Sequence, residues 1–177
     1  MNTIQVKLWL LTLLFIGMTV SSCEKDDAGQ VNRLTETDFM LRAADSDLFE
    51  IQTGQIASGK GTLAEVREFA QNLVIDHMAS SKDLKNLAAQ KKITLPDSLS
   101  AEKRAIRLRL SSESGTAFDK DFVDVQIKAH DEAIKLYEQG ARELQDPDIR
   151  NFATNTLPNL QAHREHALMV KSKTDAL

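Results

Sequence analysis

The sequence predicts an all-α protein: four long amphipathic helices in one bundle, with a long crossover containing a short helix between the second and third. Three observations predict it. Glycine and proline are scarce, 7 and 3 of 177 residues. Apolar residues recur at helical spacing along four separate stretches. No run of alternating β-branched residues marks a strand.

The chain opens on a segment of another kind. One cation, Lys7, precedes a short apolar run from Leu8 to Val20, and the small residues Ser21 and Ser22 stand before Cys23. That is the layout of an export signal. The run is too short, and ends too abruptly, for a span of about 20 apolar residues. Val20-Ser21-Ser22-Cys23 resembles the lipobox of bacterial lipoproteins. The resemblance implies that residues 1–22 are cleaved and that Cys23 carries the lipid, an anchor held by about 0.8 kcal/mol per buried CH₂. Cys23 is the only cysteine, so it has no disulfide partner within the chain. Residues 23–36 then form the lipidated N-terminus and a flexible tether, polar and charged from Glu24 to Gln30. Within it Lys25-Asp26-Asp27 resembles the short acidic signal that sends some Gram-negative lipoproteins to the cell surface. The expected location is the cell envelope, at the outer membrane, facing the periplasm or the surface.

The net charge of the chain is −4, and loss of Lys7 with the leader makes the mature protein more acidic. A mildly acidic chain without a basic cluster excludes nucleic acid as the partner. With no cysteine pair, the domain must be stable without disulfides in an oxidising compartment.

The bundle is expected over residues 37–172, with 173–177 as a tail. The first helix runs from Thr37 to Ala57, with Thr37 as N-cap and Asp38 as a favourable first-turn charge. Its stripe is Phe39, Ala43, Asp47, Glu50, Gly54 and Ala57, and Ser58-Gly59-Lys60-Gly61 ends it. Thr62 caps the second helix, with Glu65 completing a capping box. That stripe is Val66, Phe69, Ala70, Leu73, His77, Leu84, Leu87 and Ala88, fading at Lys91-Lys92 before Ile93-Thr94-Leu95-Pro96. Ser98 to Leu110 forms the short crossover helix. The third long helix, Thr116 to Leu144, carries Asp119, Val123, Gln126, His130, Ala133, Ile134 and Tyr137 on one face. Asp146-Pro147-Asp148 starts the fourth, whose stripe is Ile149, Phe152, Ala153, Thr156, Leu160, His163, Ala167 and Val170. Pro158 falls inside it and predicts a kink or local break. Short links after the first and third helices and a long one between let the second and third run parallel, as in ferritin-like folds.

The chain has four histidines, His77, His130, His163 and His166. Three fall on the apolar stripes of three different helices, and Glu50 falls on the stripe of the remaining one. His77 lies 15 residues after Thr62 and His130 lies 14 after Thr116, so parallel helices put them at one level. His130 is 16 residues before Asp146 and His163 is 17 after it, a second match. Glu50, 9 residues before Gly59 against 18 after it for His77, is offset by roughly a dozen ångströms at the helical rise. Neutral imidazoles with a carboxylate suit zinc, iron, copper or manganese, and bundle cores are where such sites are built. Asp76 is a candidate further ligand or an acceptor fixing a histidine tautomer. His166 lies off the stripe. Asp119 reads as a first-turn charge stabilising its own helix. The Glu-x-x-His pairs of di-iron proteins and the His-Glu-x-x-His of zinc proteases do not occur. Neither does a Ser/His/Asp ordering, a cysteine nucleophile or a phosphate loop, which excludes hydrolase and nucleotide-binding readings.

The sequence resembles the bacterial envelope family known as domain of unknown function 4142, a ferritin-like group with many predicted outer-membrane and periplasmic members. The resemblance runs through Phe39, Ala43-Ala44, Glu50, Gly54 and Ala57, then Phe69-Ala70, Asp76-His77 and Ile93-Thr94-Leu95-Pro96. It continues with Gly115, Phe118-Asp119, His130, Phe152-Ala153, Leu157-Pro158 and His163. It implies a ferritin-like bundle and brings no established activity. The family's recurrent polar positions correspond to Glu50, Asp76, His77, Asp119, His130 and His163. Asp47 and Thr53 stand where smaller or more aliphatic residues are usual, a change that either adds a carboxylate near Glu50 or loosens packing. Two functions follow as expectations. One is a membrane-anchored envelope protein binding a transition metal through Glu50, His77, His130 and His163. The other is a non-enzymatic structural or interaction bundle whose histidines form a buried hydrogen-bond network.

Overall fold

Helix starts are set by local capping chemistry. The computed structural model describes residues 33–177, so the expected leader, Cys23 and most of the expected tether lie outside the described residues. Five helices occur: α1 (Glu36–Lys60), α2 (Ala64–Lys91), α3 (Ala101–Ser112), α4 (Gly115–Glu143) and α5 (Pro147–Thr174), and no strand is present among the described residues. Thr35, not Thr37, caps α1, its hydroxyl accepting from the Asp38 N–H at 3.1 Å. Asp146 caps α5 through the N–H groups of Asp148 and Ile149, with Pro147 in the first turn. Ser100 caps α3. Each such cap is worth about 1 kcal/mol.

α2 departs from the expected capping box. Its N-cap is Leu63, which offers no side-chain acceptor. The acceptor comes from across the bundle: both Asp119 oxygens accept from Thr62 N–H, at 2.9 and 3.1 Å, and Oδ2 also accepts from Leu63 N–H at 2.8 Å. Asp119 therefore neutralises the start of α2 rather than that of its own helix. A buried carboxylate on unsatisfied helix N–H groups satisfies the donors and the macrodipole together.

That contact also sets the topology. It places the starts of α2 and α4 at one end, while Lys91 reaches Asp146 and Asp148 at 2.6 and 2.7 Å at the other. The two helices are parallel, as the connection lengths predict. Glu36 accepts from the N–H groups of Gln145 and Asp146, so α1 starts where α4 ends. α3 lies along α1, from Ser100 on Asp45 to Ser111 on Lys60, and buries only Leu110. α1 packs chiefly on α2 and α4 chiefly on α5, and the α1–α4 and α2–α5 seams close the ring. At the first of these interfaces the backbones approach closely. A Cβ on Gly54 would lie 2.8 Å from Val74 Cγ2 and 3.0 Å from the Ala70 carbonyl.

Pro158 does not break α5, which continues to Thr174. Pro158 and Thr154, whose carbonyl loses its i+4 donor, are both exposed, so water takes the place of the lost bond. No described helix is long and apolar enough to cross a membrane.

The core comes in two apolar parts. One gathers Phe39, Met40, Leu84, Leu136, Tyr137 and Ile149, the other Phe69, Leu73, Leu110, Phe118, Phe122 and Val170. Between them, at mid-height on all four long helices, lie buried polar residues: Ser46, Asp47, Glu50 and Thr53, then His77, Gln126, His130 and His163.

Candidate metal centre

The three stripe histidines converge. His77, His130 and His163 are 3, 1 and 8% exposed, with ring centroids 5.4 to 5.8 Å apart. One ring nitrogen from each lies within 4.8 Å of the others. This is the only such group of His, Cys, Asp or Glu side chains among the described residues.

Each ring is held from outside. His77 Nδ1 pairs with Asp47 Oδ1, His130 Nδ1–H donates to the Gln126 carbonyl, and His163 Nε2 pairs with Asp76 Oδ2, all at 2.8 Å. The other nitrogens, His77 Nε2, His130 Nε2 and His163 Nδ1, are buried and find no hydrogen-bond partner. A backbone carbonyl can only accept, so His130 carries its proton on Nδ1 and turns the Nε2 lone pair inward. Carboxylates and carbonyls behind imidazoles are the usual way to orient metal-binding rings.

Electrostatics separates the three. Burial, then repulsion from His77, pushes His130 down to about 3. Burial also lowers His163, against the Asp76 hydrogen bond. For His77 burial is again the largest influence, yet the Asp47 hydrogen bond and the charges of Glu50, Asp47 and Asp76 outweigh it and raise its pKa. At neutral pH the two lowered rings are thus neutral donors, while the surroundings of His77 favour its protonated form, with which a metal ion would compete.

Glu50 is in the same layer, 1% exposed, and burial raises its pKa to about 7. Its Oε2 has no partner, but it does not belong to the convergent histidine group. Its expected offset was too large because Gly59 is not the midpoint of the link: α1 runs on to Lys60 and α2 begins only at Ala64. Counted from Thr62, Glu50 is 12 residues back and His77 is 15 forward, a difference of about 4.5 Å at the helical rise. The same count puts Asp47 15 residues back, level with His77, which is why those two pair. Asp47 is the site residue that the sequence reading undervalued, and this level match was the signal for it. Gln126 is the other: its carbonyl holds His130, and its amide donates to Thr53 Oγ1 at 3.0 Å. His166 stands apart, its ring 4.9 Å from Phe69. Asp119 caps α2 and is not near the histidines.

Fold and site together define a class: an antiparallel helical bundle whose core is divided by a layer of buried histidines and carboxylates. The chain belongs to the family described as domain of unknown function DUF4142, whose sequence profile matches residues 21–170. No curated protein sequence matches it. Two solved structures share the fold. A DUF305 fragment from Deinococcus radiodurans has 12% identity and a TM-score of 0.70, covering 78% of this chain and 95% of that one. CopM in the Cu(II)-bound form has 17% identity and a TM-score of 0.68, covering 80% and 98%.

Proposed function

We propose that this protein is a membrane-anchored envelope lipoprotein whose bundle binds one transition-metal ion through His77 Nε2, His130 Nε2 and His163 Nδ1. One observation carries the reading: three histidine rings converge, each hydrogen-bonded through one nitrogen and each with its other nitrogen buried and without a partner. Left permanently unpaired, each would cost about 1–3 kcal/mol, so a purely structural network accounts for the outer contacts and not the inner ones. An imidazole donor set favours copper, zinc or iron over magnesium or calcium. The Cu(II)-bound state of the similarly folded CopM supports copper among these. Glu50 supplies negative charge in the same layer, and its partnerless oxygen makes it the candidate fourth ligand after a side-chain rotation. The anchor is Cys23, with the residues that follow it holding the bundle beside the membrane.

The test is metal content and melting temperature of the wild type against the His77→Ala/His130→Ala double variant after dialysis with Cu(II) or Zn(II). The wild type retains one equivalent, and metal at a hundred times its Kd stabilises it by about 2.7 kcal/mol. The variant does neither. Equal trace metal in both, with melting unmoved by chelator, would instead establish the structural network. Mass spectrometry of the membrane-extracted protein reports the acyl groups on Cys23, and Cys23→Ala releases the protein from the membrane.

A further inference from the structure

The site is enclosed by four helices, so an ion has four seams by which to reach it. Between α1 and α2, Gly54 packs against Val74 and the Ala70 carbonyl beside the layer and leaves no room. Between α1 and α4 lies a cavity of about 540 Å³, roofed by α3. Arg42, Lys103, Arg109 and Lys128 line it against Asp45, Glu102 and Glu132. Lys103 stands 5.7 Å over the ring of Phe49, which closes its floor. The charges in this cavity are largely paired, Lys103 with Asp45 and Lys128 with Glu132, so it offers an incoming cation little net attraction. Between α4 and α5, the Arg164 guanidinium spans the seam to Asp131 at 2.5 Å, an ion pair that bridges it.

The α2–α5 seam differs. It is bridged by Asp76, with 48% of its side chain exposed, and His163, with 11%. Among the described residues Asp76 makes no ion pair with a lysine or arginine. One side of its carboxylate faces water and the other holds His163 Nε2. The Nδ1 of the same ring is buried without a partner, and the ring centroid lies 5.4 and 5.5 Å from those of His77 and His130. Solvent and centre are therefore one imidazole apart here, whereas His77 and His130 are only 3 and 1% exposed.

We propose that the α2–α5 seam is the ion's path in and out, and that Asp76 is the carboxylate that captures a divalent cation before His163 draws it inward. This rests on the histidine group being a metal site. A lone carboxylate at an opening raises the local cation concentration and so acts on the association rate. A ring held by one solvent-facing acceptor can turn without disturbing its two more deeply buried neighbours.

The experiment is stopped-flow mixing of the full-length protein with Cu(II), read by the imidazole–copper absorbance, with dissociation followed into excess chelator. Asp76→Asn keeps an oxygen to accept from His163 and removes the charge. Its association rate is expected to fall about three- to tenfold at low salt, with the gap narrowing as salt rises; that salt dependence marks capture by charge, which a mere loosening of the His163 ring would not show. Glu132→Gln removes an exposed carboxylate from the α1–α4 side and leaves both rates unchanged. An unchanged association rate in Asp76→Asn, or an equal loss in Glu132→Gln, overturns the path. A wild type that takes up no Cu(II) at equilibrium fails before any rate is measured, which removes the site and the path together.

Discussion

Asp119 and the histidine layer are both polar and both buried, and the protein completes them differently. At the end where α2 and α4 begin, both Asp119 oxygens accept from backbone N–H groups. The group is fully buried, and its needs are met by the fold alone. At mid-height each histidine is satisfied on one nitrogen and left without a partner on the other, and the three rings converge. Near-complete pairing is the rule for buried polar groups. The first arrangement is what stability requires; the second makes sense when something outside the chain completes it. Burial and charge do not separate the two, but hydrogen-bond completeness does.

The largest effect expected from this contrast is on stability and not on metal. Asp119→Ala leaves the Thr62 and Leu63 N–H groups without acceptors and removes a charged cap. It should cost about 3 kcal/mol in denaturant unfolding, with metal stoichiometry kept in the fraction that stays folded. Loss of metal binding in that variant at unchanged stability would show that the two regions are not separate.

The sequence carried more of the fold than of the site. The four stripes, the short crossover helix and the parallel course of α2 and α4 follow from periodicity and link length, because those properties are local or nearly so. The histidine convergence was readable for the same reason: three helices with recognisable ends fix three levels. Glu50 was displaced by a wrong end, since Gly59 looks like a terminator but sits in an open part of α1 with nothing near its Cβ position. The partner of Asp119 was not readable at all. The bond joins residues 57 apart in sequence, and only the assembled bundle shows that an aspartate in α4 reaches the start of α2. Pro158 shows local chemistry overridden by exposure.

The pH dependence of the metal-free protein is the next effect in size. His130, lowered to about 3, and His163, also lowered, bind protons less well folded than unfolded. Their contribution is intact above the unfolded histidine value of about 6.5 and is lost as pH falls toward the folded values. For His130 alone, acidification from pH 6.5 to 5 should cost about 2 kcal/mol. Glu50, raised to about 7, acts oppositely: its contribution is present below about 4.5 and is lost as pH rises through 7. His77, also raised, adds to that alkaline loss. Unfolding curves across this range should show a maximum between the two limbs, and His130→Gln should flatten the acid limb only.

The smallest effect tests whether the outer contacts serve the inner atoms. Asp47 fixes one face of His77 and helps to raise its pKa. Asp47→Asn keeps the shape and an acceptor oxygen while removing the charge. If the hydrogen bond were merely structural, the change would appear as lost stability with no change in metal affinity. If its role is to orient His77 and to balance charge around a bound cation, affinity should fall by at least about tenfold, ~1.4 kcal/mol, as for other residues that support metal ligands. Competing effects act on His77 itself: losing the carboxylate also lowers its pKa, and so reduces the proton that a metal must displace. The affinity loss should therefore be smaller at pH 6, where that proton matters most, than at pH 8. Titrations of wild type and variant at both values separate the contributions, and an affinity loss independent of pH would leave orientation as the sole role of Asp47.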